Sequence, residues 1–194
     1  MESRISGVIL AGGDNKRFGG RTKSKIVIDG ESIISRNIDT IKDLFSEIII
    51  VTNTPEEFRD FIQYKIVGDR YFNTGPIGGI HAAMKSSSGE AIFVFAGDMP
   101  FLNKEIILNQ INEFDPAKHD ILIPKIGRYI EPLHAIYSTS VLDKLEDFIN
   151  DRESRSVRDF LAEMNVVYLR MKESVESKRA FTNINSPSDI ADIM

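Results

Sequence analysis

The sequence contains no cysteine, which excludes disulfides, thiolate nucleophiles and cysteine-ligated metals. It has only three histidines, His81, His119 and His134. They stand far apart, and none has the spacing of a zinc site. No serine lies in a nucleophile-elbow pattern, so a Ser-His-Asp hydrolase is not expected. Net positive charge is also missing: 24 Lys and Arg face 29 Asp and Glu, for a net charge of −5. That removes any global attraction to nucleic acid or to an anionic membrane, so a polyanionic ligand needs a local concentration of cations. No apolar run approaches the roughly 18 residues of a transmembrane helix. The stretch "ISGVILAGG" does not read as a secretory signal: Arg4 alone precedes it, Glu2 offsets that charge, and a charged loop comes next. The expectation is a cytoplasmic protein with no nucleic acid and no membrane as partner.

What the chain does have is regular alternation of strand and helix patterns. "RISGVILA", "EIIIVTN", "YKIVGD" and "EAIFVFAGD" read as strands, the longer ones continuously apolar, as parallel sheets buried on both faces require. "ESIISRNIDTIKDLF" puts Ile34, Ile38, Ile41 and Phe45 on one helical stripe. "TPEEFRDFI" reads as a helix with Thr54 as cap and Pro55 in the first position. "GPIGGIHAAMK" is a turn leading into a helix, and "NKEIILNQINEF" is a helix with Ile107, Ile111 and Phe114 inward. "DILIPKI" and "YIEPLHAIY" read as two strands joined by a Gly127-Arg128 hairpin. Helices near 140–149 and 156–164, the strand "VVYLRM", an irregular stretch from Lys172 to Asn185 and a terminal helix complete the chain. With 194 residues and no linker or repeat, residues 1–194 are expected to form one α/β domain, its mostly parallel sheet covered on both faces.

In such sheets ligands bind beyond the carboxyl ends of the strands. Gly12 and Gly13 follow the first strand there, Asn53 the second, Asp69 the third and Asp98 the "FVFA" strand. From Lys16 to Lys25 come five basic residues and no acid. Glycines that let the backbone approach, followed by cations, suit a phosphate group. The spacing is neither a dinucleotide fingerprint nor a P-loop. Asp98, at the end of a buried strand, is a natural Mg²⁺ ligand, although an Asp in that place also serves to order its own turn before Pro100. "TGPIGGI" fits either a turn beside a ligand or a close packing of helix on sheet. Thr182, Asn183 and Asn185 form a polar cluster ahead of Ser186-Pro187, which suits a helix start.

These segments resemble a known family. "LAGGDNKRFGGRTKSK" is similar to the signature of sugar-nucleotide and cofactor nucleotidyltransferases. Together with "GPIGGI", "GDMPFL", "EPLHAIY", "SRSVRDFL" and "FTNINSPSDI", in that order, it resembles the molybdenum cofactor guanylyltransferase family from Ile5 to Ile190. The resemblance implies a three-layer Rossmann-like nucleotidyltransferase fold and transfer of GMP from GTP to the terminal phosphate of molybdopterin, with Mg²⁺ required and pyrophosphate released. It implies that Leu10, Ala11, Gly12 and Gly13 contact the guanine nucleotide, that Lys23 and Arg17 neutralise its phosphates, and that Asn53 and Asp69 are further nucleotide positions. Asp98 takes the Mg²⁺ position. Asn183, Asn185 and Arg155 fall on the acceptor side. Ser24-Lys25 departs from the family's small-then-apolar step after Lys23. No role is assigned to Glu131, whose segment varies in the family. Guanylyl members tend to carry Leu-Ala-Gly-Gly and cytidylyl relatives Leu-Ala-Ala-Gly. Transient contact with cofactor-synthesis or acceptor proteins is implied as well. Two rival expectations stand beside this one: cytidylyl or other nucleotidyl transfer to a phosphorylated acceptor, and a nucleotide-binding module without turnover.

Overall fold

A computed structural model describes residues 5–12, 22–71, 74–152, 155–186 and 188–190. The chain begins with β1 (Ile5–Leu10), a 3-10 turn (Lys23–Lys25), the two-stranded hairpin of β2 (Val27–Ile28) and β3 (Glu31–Ser32), and α1 (Ile33–Ile41). There follow β4 (Ile48–Val51), a 3-10 segment (Pro55–Phe61), β5 (Lys65–Val67), α2 (Pro76–Ser86), β6 (Ala91–Ala96) and α3 (Lys104–Glu113). The remainder comprises β7 (Ile121–Ile126), β8 (Tyr129–Ile130), β9 (His134–Ser138), α4 (Leu142–Asp151), α5 (Val157–Leu161), β10 (Val166–Arg170) and α6 (Val175–Ala180).

Eight strands make one sheet in the order β10-β7-β9-β6-β1-β4-β5, with β8 beside β7. The pairs β1–β4, β1–β6, β4–β5 and β7–β10 are parallel. β9 runs antiparallel between β6 and β7. Each face of the sheet carries its own core. On one, Ile77, Ile80 and Met84 of α2 pack with Leu145 and Phe148 of α4 and Phe160 of α5. On the other, Ile34, Ile38 and Ile41 of α1 pack with Phe58, Ile107, Phe93 and Phe95. Both faces of β6 are therefore buried, which is why its sequence, AIFVFA, is apolar without alternation. This is the expected three-layer α/β architecture.

Three local expectations need correction. The segment after Thr54 is a 3-10 structure broken at Phe58 (φ −111°, ψ 21°), and Thr54 makes no side-chain cap. Phe58 is wholly buried, and the Glu57 carbonyl is turned to the Lys25 ammonium in place of a helical partner. "YIEPLHAIY" is not one strand but β8 and β9. Pro132 has no N–H for a ladder, and the chain turns there, with the His134 N–H donating to the Glu131 carbonyl at 3.2 Å. The stretch from Lys172 to Asn185 contains α6, whose start is a reciprocal capping box between Ser174 and Ser177. Its sequence, VESKRA, has no apolar stripe to betray it, and Val175 is 83% exposed. The terminal helix is described only at 188–190. No helix among the described residues is long and apolar enough to cross a membrane.

Candidate active site

The site begins with how β1 and β6 meet at their carboxyl ends. Their register pairs Leu10 with Ala96. One residue on, the Gly97 N–H donates to the Leu10 carbonyl at 2.9 Å. A Cβ on Gly97 would lie 2.6 Å from that oxygen and 3.1 Å from Ala11 Cα. Only glycine permits this approach, and it delivers Asp98 beside Ala11 and Gly12.

Asp98 is the hub of the site. Its Oδ2 accepts from Lys23 Nζ at 3.0 Å, with both side chains about one-fifth exposed (21% and 22%). The same ammonium donates to Asn185 Oδ1 at 3.3 Å. The Asp98 carbonyl accepts from the Ile184 N–H at 2.9 Å, which lays the Asn183–Asn185 segment across it. Ile184 is fully buried against Ile28 and Ile33 and anchors that crossing. Asn183 Oδ1 is buried and has no hydrogen-bond partner among the described residues. Beyond Asn185, the Asp189 carboxylate accepts from the backbone N–H groups of Asn185 (2.6 Å) and Ser186 (2.9 Å). Hydrogen bonds from Ser186 and Asn185 hold its carboxyl below the usual range, and the Ser186-to-Asp189 spacing is that of a helix N-terminus. Lys23, Asp98, Asn183 and Asn185, separate in sequence by up to 162 positions, thus share one rim.

Lys25 points elsewhere. It donates to the Glu57 carbonyl, lies 3.8 Å from Asp60 Oδ2 and sits over the rings of Phe58 and Phe61 at 5.4 and 5.5 Å. Of the two lysines, only Lys23 faces Asp98.

Asn53 and Asp69 form a second pair at the ends of β4 and β5. Asn53 Oδ1 accepts from the Asp69 N–H at 2.9 Å, and Asp69 Oδ1 accepts from the Tyr71 N–H at 2.7 Å. The Asp69 carboxylate packs where a Cβ of Gly78 would stand, 2.5 Å from it, in the first turn of α2. Gly79 brings the same helix onto Leu10 and Val51, so Gly78 and Gly79 of "TGPIGGI" serve close packing, while Gly75 has open space around it and a positive φ of 66°. Burial raises the Asp69 pKa, opposed by the Tyr71 N–H and the nearby His81. Gly12 is exposed, and a Cβ there would meet only ordinary contacts at 3.9 Å or beyond. Arg155 is exposed ahead of α5 and, among the described residues, shares no hydrogen bond or ion pair with Lys23, Asp98 or Asn185. Gly13 and Arg17 lie outside the described residues.

Sequence reasoning assigns no role to Glu131. It is partly buried in the turn between β8 and β9, and its Oε1 accepts from the Leu133 N–H at 3.3 Å. The Leu133 carbonyl in turn accepts from the Ala96 N–H at 2.8 Å, which fixes this turn two residues from Asp98. Burial raises the Glu131 pKa, the Asp98 charge adds to the rise, and the Leu133 N–H and Arg158 oppose it.

His134 is not a ligand candidate. It is fully buried, with neither ring nitrogen hydrogen-bonded among the described residues, edge-on to Phe93 and Phe95 at 5.3 Å and to Phe181 at 4.8 Å. Burial pushes its pKa down to about 4, so it is neutral at pH 7.

Known proteins resemble this chain in sequence and fold. The family model of the MobA-like NTP transferase domain matches residues 7–167. A Natranaerobius thermophilus protein named "Probable molybdenum cofactor guanylyltransferase" is 36% identical over 98% of this chain and 95% of its own length. The "Molybdenum cofactor guanylyltransferase" of Desulfosudis oleivorans is 30% identical over 96% of this chain and 92% of its own. The crystal structure of molybdopterin-guanine dinucleotide biosynthesis protein A from Archaeoglobus fulgidus superimposes with a TM-score of 0.82 at 28% identity, covering 96% of this chain and 95% of that one. With a family model matching residues 7–167 and relatives at 30–36% identity over nearly its whole length, this chain belongs to the MobA-like NTP transferase family and is a nucleotidyltransferase.

Proposed function

We propose that this protein transfers GMP from GTP to the terminal phosphate of molybdopterin and releases pyrophosphate. The observation that carries the proposal is the Lys23–Asp98–Asn185 group at the joined ends of β1 and β6, in a chain whose full-length relatives are named for this transfer. The acceptor is a phosphate monoester, whose second pKa near about 6 leaves it largely a dianion at neutral pH. Such a nucleophile needs no general base. The barrier is the approach of one anion to another, so positioning and charge neutralisation are the main requirements.

Lys23 meets the second requirement. Its ammonium, shared between Asp98 and Asn185, is held at the rim and is assigned to the phosphates of the nucleotide. Arg17 is assigned to the same task on the leaving pyrophosphate. Leu10, Ala11 and Gly12 are assigned to the base, and Asn53 and Asp69 to the remaining nucleotide contacts. Arg155 is assigned to the acceptor.

A divalent cation fits the rim. Asp98 and Asn183 Oδ1, which has no hydrogen-bond partner among the described residues, are hard oxygen donors, and Mg²⁺ is commonly held by one or two carboxylates with substrate phosphates completing its shell. Bound there, Mg²⁺ supplies charge neutralisation at the α-phosphate.

The test is direct. Purified protein, Mg²⁺ and molybdopterin are incubated separately with GTP, CTP, ATP and UTP, with product mass and pyrophosphate both measured. A GMP adduct with stoichiometric pyrophosphate is expected. A CMP adduct overturns the choice of base, and absence of pyrophosphate with every nucleotide overturns transfer to this acceptor.

A further inference from the structure

We propose that Glu131 is the second carboxylate of the divalent-cation site, acting with Asp98. The proposal rests on the reading of Asp98 as a cation ligand and extends it to a residue with no assigned role. Three observations converge. Glu131 is fixed by the backbone on both sides: its N–H donates to the Pro124 carbonyl at 3.3 Å, and its own carbonyl accepts from the His134 N–H at 3.2 Å. Its side chain is further held by the Leu133 N–H. The turn it occupies is bonded to Ala96 through the Leu133 carbonyl at 2.8 Å, so the backbone that carries Glu131 lies against the end of β6, two residues before Asp98. The Asp98 charge is felt at Glu131.

Two partly buried carboxylates on neighbouring backbone segments are unfavourable unless cations meet them. Lys23 meets Asp98, and Arg158 is the cation acting on Glu131. Both are the side chains that a polyanionic substrate would recruit. With a dication held by Asp98 and Glu131, Lys23 and Arg158 would be available to phosphate instead. Among the described residues no group of three His, Cys, Asp or Glu is assembled to hold a metal. Two carboxylates, with phosphate oxygens for the rest, are what Mg²⁺ commonly uses.

Glu131→Gln is the informative change, because the amide retains the oxygen that accepts from Leu133 and removes only the charge. Mn²⁺ alone is titrated into wild type, Glu131→Gln and Asp98→Asn, and bound metal is followed by loss of the free-ion paramagnetic resonance signal and by water-proton relaxation. Glu131→Gln should weaken Mn²⁺ binding about tenfold, and Asp98→Asn at least as much. If Glu131→Gln binds Mn²⁺ like wild type while Asp98→Asn does not, Glu131 is a turn residue only and the proposal fails. If neither change weakens binding, the reading of Asp98 fails with it. Should Glu131→Gln melt early, Glu131→Asp decides. It keeps the charge but withdraws it by one methylene, and wild-type Mn²⁺ affinity in that variant overturns a direct role.

Discussion

At the scale of single residues, the two lysines that flank Ser24 have opposite environments and should have opposite phenotypes. Lys23 faces Asp98 and Asn185. A charge-assisted contact to phosphate in the transition state contributes about 1.5–3 kcal/mol, so Lys23→Ala should lower kcat/KM by roughly tenfold or more. Lys25 instead caps the 55–61 segment through Glu57 and two aromatic rings. Lys25→Ala should cost about 0.5–1 kcal/mol of stability and leave kcat/KM within about threefold. Steady-state kinetics and chemical denaturation of both variants check this; equal kinetic losses would remove the distinction. Gly12 makes a second residue-scale test. Its φ is not in the left-handed region, and the space a Cβ would enter is clear of close contacts. Gly12→Ala therefore should not strain the backbone. If the missing Cβ leaves room for the two fused rings of guanine, the variant should raise the CTP-to-GTP ratio of kcat/KM several-fold, with an unchanged melting temperature. An unchanged ratio removes Gly12 from base selection.

At the scale of elements, the site depends on how closely β1 and β6 approach at their ends. Gly97→Ala puts a methyl group 2.6 Å from the Leu10 carbonyl, a backbone atom that cannot rotate away. Overpacking of this kind costs about 1–3 kcal/mol. Because the strands must part where Asp98 leaves β6, activity should fall by more than the stability loss explains, at a temperature where the variant is still folded. Full activity in a folded Gly97→Ala protein would show that the rim tolerates separation. The same elements show what the sequence could reveal. β1, β4 and β6 were legible because burial on both faces demands unbroken apolar runs, and α1 because one face alone is buried. The rim positions of Asn53, Asp69 and Asp98 came from strand ends in a parallel sheet. α6 was not legible: it is stabilised by the Ser174–Ser177 capping box rather than by an apolar stripe. The 55–61 segment misled because proline and acidic residues at its start are shared by α and 3-10 turns. Glu131 was invisible because its meaning depends on β9 returning antiparallel beside β6, a contact between distant segments.

At the scale of the whole molecule, β9 joins the β5-β4-β1-β6 half of the sheet to β7 and β10, and His134 lies at that join. Its ring is enclosed by Phe93 and Phe95 of β6 and by Phe181, which immediately precedes the Thr182–Asn185 segment. Its backbone carbonyl accepts from Gln110 of α3 at 3.0 Å. A proton on His134 would therefore be opposed by the core that supports the site. In the unfolded chain His134 titrates near 6.5, in the folded protein only near about 4, so between those values the unfolded state holds the extra proton. The contribution to stability is complete above pH about 6.5 and is lost as the pH falls toward 4, to a limit on the order of 3 kcal/mol. Carboxylates with lowered pKa act in a different window. Glu146, pulled down to about 2 by His81 and Lys85, loses its contribution only as the pH falls below about 4.5. Unfolding free energy measured between pH 7 and 4.5 should thus decline more steeply in wild type than in His134→Leu, which keeps the backbone carbonyl for Gln110 and removes the titrating ring. Parallel slopes in the two proteins would mean that the acid sensitivity lies elsewhere. A shallower slope in the variant would place it at the join between the two halves of the sheet, directly behind the segment that carries Asn183 and Asn185.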